Sequence, residues 1–188
     1  YNSSEDGSLE YAESKNCIVV KYDKKNFNYS YALNLGLIET IEEEVLILTA
    51  HFVLVTKQSV ENMIKIRQKY NAAGVYGRQI PTQNSNPIDT RDLITVFGRE
   101  RIVFKTYPFF HNAFSLIERS AWKDCHFNEN QNGVEDRFWA REQTLKGRKI
   151  IYEPESIVFH EHGLNQGSSI ERAIRVCDSL EEFHKDDI

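Results

Sequence analysis

Helical and strand-like patterns of apolar residues alternate along the whole chain. Period-two or continuous apolar runs predict strands at 17–22, 44–49, 74–78, 113–118, 149–152 and 156–160. Helical spacing, with capping residues at the ends, predicts helices at 6–14, 29–39, 57–73, 134–145 and 168–183. This alternation predicts an α/β domain in which helices flank a mixed, mostly parallel sheet.

Two segments carry more specific expectations. The run EVLILT at 44–49 is β-branched and aliphatic, which favours a buried central strand. Residues 80–107 are polar, contain Pro81 and Pro87, and show little periodicity before Ile102. This pattern is typical of a long functional loop or a lid.

The amino-acid composition mainly excludes classes of protein and of partner. The 188 residues, 40% of them hydrophobic, are enough for one domain with a real core. A net charge of -5, with no basic run longer than Lys24-Lys25, argues against a nucleic-acid partner. Cys17, Cys125 and Cys177 are too scattered for a disulfide framework. No apolar run is long enough to span a membrane. We therefore expect a cytoplasmic protein, at most peripherally associated with the cytoplasmic face of a membrane.

The segment 133–163 carries the strongest chemical signal. Glu135 and Asp136 begin a predicted helix, and His160 and His162 end a predicted strand. Strand ends and helix starts line one cleft in α/β folds, so this arrangement favours an enzyme. The alternative for the two acids is that they only complement the helix dipole. The alternative for each histidine is an ordinary hydrogen-bonded residue.

An ordered series of motifs resembles family-two inverting glycosyltransferases. NSSEDGSLEYAE at 2–13 resembles the family's N-x-S-x-D-G-T segment, and YALNLGL at 31–37 resembles its A-R-N-x-G-I helix. VLILTAH at 45–51 falls where the family carries a strand ending in D-x-D. YGRQIP, NAFSLIERSAW, GVEDRFWARE and IIYEPESIVFHEHG resemble the acceptor half of these enzymes, particularly the rhamnosyltransferase-like branch.

The resemblance implies a GT-A fold, a nucleotide-sugar donor, a glycan or lipid-linked acceptor, and a divalent metal, Mn or Mg, on the donor diphosphate. The family opens with a strand, a nucleotide-binding turn and a helix before the position of Tyr1, so we expect an N-terminally incomplete domain. Within a single domain at 1–188, we assign 1–55 to the rest of the donor-binding half and 56–163 to the acceptor-binding, catalytic half. Residues 164–188 are assigned to a C-terminal helix.

Roles for individual residues are assigned from the resemblance and from the positions of the residues at predicted strand ends and helix starts. Asp136 is the candidate general base that takes the proton of the acceptor hydroxyl, with Glu135 beside it. Donor contacts are assigned to Asp6, Asn34, Ala50 and Arg78. Acceptor contacts are assigned to Gln79, Asn112, Ser115 and Trp139. Metal ligands are assigned to His51, His160 and His162, the last two being on one face of a strand. A loop-fixing salt bridge remains the alternative for Arg78, and a place in the core or cleft wall for Trp139.

Three positions depart from the family pattern. Tyr1 stands where the family usually has an acid, Leu33 where it has an Arg, and Thr49 where it has the first Asp of D-x-D. His51 retains a ligand-capable side chain, and a D-x-H version of the motif occurs in related GT-A transferases that bind manganese. The second hypothesis is therefore a degenerate GT-A-like module that binds a sugar, nucleotide or protein without turnover.

Overall fold

The structure, a computed structural model, describes residues 5–131 and 133–160 together with Ile174, Cys177, Asp178, Glu181 and Phe183. Within these residues one mixed sheet is flanked by helices. The helices are α1 (Ser8–Ser14), α2 (Tyr29–Ile38), α3 (Gln58–Tyr70), α4 (Pro87–Val96), α5 (Arg119–Asp124) and α6 (Glu135–Leu145). The strands are β1 (Glu44–Leu48), β2 (Phe52–Leu54), β3 (Ala72–Pro81), β4 (Ile102–Phe104), β5 (Phe114–Glu118) and β6 (Lys149–His160).

The sheet order is β1-β5-β3-β6-β2, with β4 also paired to β6. The predicted mixed sheet between helices is confirmed, but its described pairings are mostly antiparallel. Only β3 and β6 run parallel, with Arg78 opposite Ile157 and Pro81 opposite His160, while the other four described pairings are antiparallel. The prediction of a mostly parallel sheet was wrong for this part of the chain, because two of the strands that surround the parallel pair, β4 and β5, return in the opposite direction.

Strand β1 lies at one edge of the described sheet, not at its centre as the run EVLILT predicted. Its described partner is β5 alone, and most of its residues are half-buried. The run is nevertheless apolar on both faces, because Val45 and Ile47 pack against one core cluster and Leu46 against the other. Helices covering both faces therefore produce the same sequence pattern as a central strand.

Two hydrophobic clusters cover the two faces of the sheet. Val75 and Ile151 belong to one cluster, and their sequence neighbours Tyr76 and Tyr152 belong to the other. Successive strand residues point to opposite faces, so the two clusters lie on either side of the sheet. Helix α3 supplies Met63 and Ile66 to the first cluster, and α5 and α6 supply Trp122 and Trp139 to the second.

Several element boundaries differ from the predictions for local reasons. The predicted strand at 17–22 is not one of the strands of the described sheet, and Ile18 is 77% exposed. The predicted helix at 57–73 ends at Tyr70, because Asn71 adopts a left-handed conformation with φ 49°. The two short strands predicted at 149–152 and 156–160 are one strand, β6.

The segment 80–107 contains regular secondary structure where the sequence predicted a long loop or lid. It contains α4 and β4. The Asn86 side chain accepts hydrogen bonds from the backbone N–H groups of Ile88 and Asp89, and Pro87 occupies the first helical turn. These are standard helix-start features, so the prediction of a long loop here was wrong.

The structure describes only some of the residues at the C-terminal end of the chain. The predicted helix at 168–183 lies outside the described residues apart from five, all of which are helical. Among them Phe183 is buried, and its backbone oxygen accepts a hydrogen bond of 2.6 Å from Arg141 Nη1. His162 also lies outside the described residues. No helix in the described ranges is both long and apolar enough to cross a membrane.

Candidate active site

A cleft of about 260 Å³ lies at the carboxyl ends of the parallel strands β3 and β6. Polar side chains from five different parts of the chain meet apolar walls there. The cleft is lined by Gln79, Asp89, Asp92, Leu93, Val96, Phe97, Phe109, His111, Arg137 and His160. Ligands of α/β folds usually bind beyond the carboxyl ends of parallel strands, so this cleft is the candidate active site.

Asp136 lies at the edge of the cleft and is held in one orientation. Its Oδ2 accepts a hydrogen bond of 3.0 Å from the backbone N–H of Asn112, and its Oδ1 accepts one of 2.8 Å from that of Arg137. The side chain is half-buried, and the neighbouring residues His111 and Arg137 both line the cleft. A carboxylate fixed by two backbone donors and open to solvent has the features of a general base.

Glu135 has a different environment from its neighbour. It is 6% exposed, and its Oε2 accepts a hydrogen bond of 2.8 Å from the backbone N–H of Gly133. Burial, and to a smaller extent the charge of Asp136, together raise the pKa of Glu135 to about 7. The acidic pair therefore contains one carboxyl group that is partly protonated near neutral pH and one that faces solvent. We assign Glu135 a positioning role.

Asn112 and Ser115 support Asp136 from β5 and the residues before it. The Asn112 side chain is 5% exposed, and its Nδ2 has no hydrogen-bond partner among the described residues. Ser115 is fully buried, with Ile47 and Tyr76 as cross-strand neighbours, and its Oγ lies 3.4 Å from Asn112 Oδ1. Its assignment to acceptor binding is therefore not supported, because a sugar cannot reach a side chain beneath the sheet surface.

Gln79, His160 and His51 form a second polar group at the cleft. Gln79 is 1% exposed, and its Oε1 lies 2.7 Å from His160 Nδ1. Gln79 Nε2 has no hydrogen-bond partner among the described residues. Phe52 pairs with His160 across the sheet, which brings the His51 ring centroid to 5.2 Å from that of His160. The sequence predicted this meeting of two histidines more than a hundred positions apart.

The two histidines fit an ion site that is only partly built from protein. Among the described residues no group of three or more His, Cys, Asp or Glu side chains could hold a metal ion. The contact with Gln79 Oε1 favours a proton on His160 Nδ1, which places the lone pair of the ring on Nε2, the tautomer of many ligating histidines. His51 and His160 could therefore contribute two ligands to an ion whose other ligands come from a bound phosphate.

None of the four residues assigned to donor binding is among those that line the cleft. Asn34 makes four hydrogen bonds within the protein: its Nδ2 to Phe127 O and Glu129 Oε1, and its Oδ1 from Trp122 Nε1 and the Phe127 N–H. This amide fastens α2 to the segment before α6 and has no bonding capacity left for a donor. The assignment of Asn34 to donor binding is therefore not supported.

The other donor candidates and Trp139 have different surroundings. Asp6 is exposed at the start of α1, where its Oδ1 accepts a bond of 3.1 Å from the Ser8 N–H. Ala50 is exposed in the turn between β1 and β2. Trp139 is 2% exposed, and its Nε1 donates to Cys125 O at 2.9 Å. Its assignment to acceptor binding is wrong for this structure, because the indole ring is part of the core. Arg78 lines a different cavity.

The cleft also contains residues that the sequence did not single out. Helix α4 contributes Asp89 and Asp92, and Arg137 lies over the Phe109 ring at 4.7 Å from its centroid. The signal that could have identified the α4 wall is the Asn86-Pro87 pair, a capping residue followed by a proline at the first helical position.

The mixed sheet, the acidic pair at a helix start and the histidines at strand ends define a GT-A-type α/β domain. A sequence profile described as Glycosyl transferase family 2 matches residues 2–125, and the chain belongs to this family. The resemblance found in the motifs is thereby confirmed.

Three known proteins illustrate the relationship. The O-antigen chain rhamnosyltransferase RfbN of Salmonella typhimurium is 27% identical over 173 residues, covering 86% of this chain and 55% of the relative. The O-antigen chain rhamnosyltransferase WbaN of Salmonella anatum is 26% identical over 183 residues, covering 91% of this chain and 58% of the relative. The chain thus spans little more than half the length of these relatives.

The fold is also similar to that of solved structures. A mannosyltransferase from Pyrobaculum calidifontis, in complex with GDP-Man and Mn²⁺, superposes with a TM-score of 0.68 at 18% identity. The match covers 95% of this chain and 50% of the mannosyltransferase. At this identity the similarity establishes the GT-A fold alone.

Proposed function

We propose that this chain transfers a hexosyl or deoxyhexosyl group from a nucleotide-sugar donor to a hydroxyl of a glycan or lipid-linked acceptor, with inversion at the anomeric carbon. The observation that carries the proposal is the carboxylate of Asp136, oriented by two backbone N–H groups at the edge of the cleft. The family membership and the rhamnosyltransferase relatives support the transfer of a sugar, and a deoxyhexose in particular.

The reaction follows from the position of Asp136. An acceptor hydroxyl in the cleft attacks the anomeric carbon on the side opposite the nucleoside diphosphate. Its oxygen forms the new glycosidic bond, its proton passes to the Asp136 carboxylate, and the bond to the departing diphosphate breaks. A hydroxyl held in this geometry reacts faster than one in solution because its orientation no longer has to be found by diffusion.

The cleft offers suitable contacts for an acceptor sugar. Gln79 lines the cleft, and Asn112 follows the cleft residue His111 in the chain. Both amide groups are buried, and Gln79 Nε2 and Asn112 Nδ2 have no hydrogen-bond partner among the described residues. A buried donor left unpaired costs free energy, so a sugar hydroxyl that accepts from it would be favoured. Phe97 and Phe109 form an apolar wall against which a sugar ring can pack.

The donor side of the proposal involves a divalent metal. His51 and His160 would hold it against the donor diphosphate. When bound, a divalent ion supplies positive charge that stabilises the departing diphosphate. The mannosyltransferase of similar fold is known in complex with GDP-Man and Mn²⁺, which supports a nucleotide sugar and a divalent metal as the pair to test.

The competing hypothesis is a GT-A-like module that binds without turnover. The fully used amide of Asn34 favours it, since this side chain has no hydrogen-bonding capacity left for a nucleotide sugar. The two hypotheses differ in one respect that can be measured, namely whether a glycosidic bond is formed.

The test is to incubate the protein with Mn²⁺, a panel of nucleotide sugars and candidate acceptors, and to determine the anomeric configuration of the product by NMR. We expect a β-linked product from an α-linked donor, and the reverse for a β-linked donor. Retention of the donor configuration would contradict the inverting mechanism. Binding of a nucleotide sugar without product from any acceptor would favour the binding module.

A further inference from the structure

A second cavity, of about 460 Å³, contains three arginines and shares no lining residue with the cleft. It lies beside the irregular part of the β3–β6 ladder, where the register shifts between Gly77 and Arg78. It is lined by Arg78, Arg99, Arg101, Glu153, Pro154, Glu155 and Ile157. The reaction proposed above makes no use of this cavity.

The charges of the cavity are unevenly paired. Arg101 Nε lies 2.5 Å from Glu153 Oε2, and the other oxygen of this fully buried carboxylate accepts a bond of 3.1 Å from the Glu155 N–H. Within the described residues, neither Arg78 nor Arg99 forms an ion pair. The cavity therefore has three guanidinium groups against two carboxylates, Glu153 and Glu155, and two of the guanidinium groups form no ion pair among the described residues.

Arg78 is the more informative of these two residues. Its side chain is half-buried, and its Nε is inaccessible to solvent and has no hydrogen-bond partner among the described residues. A buried charged donor without a partner is unfavourable, so such a group points to a missing acceptor. Guanidinium groups bind phosphate oxygens through paired, charge-assisted hydrogen bonds, which makes a phosphoryl group the fitting partner.

The cavity is close enough to the cleft to serve the same substrate. Arg78 precedes Gln79, which lines the cleft, and adjacent strand residues project to opposite faces. Arg78 is opposite Ile157, three residues before His160, a separation of roughly 10 Å along the strand. A substrate that passes over the carboxyl ends of β3 and β6, which end at Pro81 and His160, could place one end in the cleft and a phosphate in this cavity.

We propose that Arg78, Arg99 and Arg101 form a binding site for a phosphoryl group carried by a substrate, outside the cleft that holds the reacting hydroxyl. That a substrate carries the phosphoryl group rests on the proposed function. That the site binds a phosphoryl group rests on the arginines alone. The phosphoryl group belongs either to the acceptor or, in place of the position at His51 and His160 proposed above, to the nucleotide-sugar donor.

The direct test is calorimetric titration of the protein with inorganic pyrophosphate. Arg78→Ala and Arg99→Ala should each weaken pyrophosphate binding about tenfold or more, the loss expected from one charge-assisted contact. Arg78→Lys should recover only part of the affinity, because an ammonium group keeps the charge but not the planar fork. Lys65→Ala, which removes one exposed positive charge from α3, should leave the affinity unchanged.

The choice of variants keeps the result interpretable. Arg101 is left intact because its removal would strand the buried charge of Glu153. Arg99 is exposed, so its replacement should not affect folding, and the melting temperature of each variant is checked beside the titration. Equal pyrophosphate affinity in wild type, Arg78→Ala and Arg99→Ala would overturn the proposal.

A second titration identifies the source of the phosphoryl group. Loss of pyrophosphate binding in saturating nucleoside diphosphate and Mn²⁺ assigns the site to the donor, and unchanged binding assigns it to the acceptor. Pyrophosphate binding that disappears in His51→Ala but persists in both arginine variants would place the anion at the histidines and contradict the proposal. All of these readouts measure binding without turnover, so they remain valid even if no sugar transfer is detected.

Discussion

Replacing Glu135 by Gln should stabilise the protein at alkaline pH while leaving its stability at acidic pH almost unchanged. Glu135 is 6% exposed and adjacent to a second carboxylate, so its ionisation in the folded protein is opposed by burial first and by the charge of Asp136 second. Gln has nearly the same shape, and its amide oxygen can still accept the hydrogen bond from the Gly133 N–H. The substitution therefore removes the charge while keeping the contact.

The size and sign of the effect follow from the pKa of Glu135. Folding raises this pKa from 4.5 to about 7, which corresponds to about 3 kcal/mol at 1.36 kcal/mol per pKa unit. Between these two pH values the folded protein binds more protons than the unfolded chain. The stability contributed by this group is thus fully present below pH 4.5 and is lost as the pH rises to 7. Because Gln does not titrate, the stability of the variant does not fall in this pH range through residue 135.

The assay is urea unfolding of wild type and Glu135→Gln at about pH 4 and pH 8. We expect nearly equal unfolding free energies at the lower pH and an advantage of up to about 3 kcal/mol for the variant at the higher pH. Glu61→Gln, which alters an exposed ion pair with Lys65, is the control and should change the unfolding free energy by less than about 0.5 kcal/mol. A difference between variant and wild type that is the same at both pH values would refute the reasoning.

Two further predictions concern packing and the metal. Gly77→Ala should lower the free energy of unfolding in urea by at least about 2 kcal/mol, because a Cβ at this position would overlap the Phe114 ring. The control is Gly36→Ala in α2, where a Cβ meets no atom within 4 Å, and it should raise the free energy of unfolding by about 0.5–1 kcal/mol. In calorimetry, the wild type should bind nucleoside diphosphate more tightly in Mn²⁺ than in a chelator, and His51→Ala should abolish this difference in affinity. Equal affinity of the wild type under both conditions would contradict the assignment of His51 and His160 as metal ligands.

The parts of the site set by neighbouring residues in the chain could be predicted from the sequence. Glu135 and Asp136 lie at the start of α6 as expected, because the start of an amphipathic helix is a local signal. His51 and His160 meet because each follows or ends an apolar strand, and strand ends cluster at the edges of a sheet.

Other parts depend on packing that no local pattern encodes. Trp139 was expected at the acceptor, but an indole ring serves equally well as core, and here it packs between Phe110 and Phe127. Asn34 was expected at the donor, but its partner Phe127 is 93 positions away in the chain. The three-arginine cavity likewise combines residues from β3, β6 and the segment before β4.

The central claim is that Asp136 takes the proton of the acceptor hydroxyl, and the turnover of Asp136→Asn tests it most directly. Once a donor and an acceptor have been established, turnover is measured for wild type and variant beside the affinity for the nucleoside diphosphate. We predict that turnover falls about 10²- to 10⁴-fold, the usual contribution of a positioned base, while nucleotide affinity and melting temperature stay close to those of the wild type. An Asp136→Asn protein that turns over at the wild-type rate on the same acceptor would contradict the account.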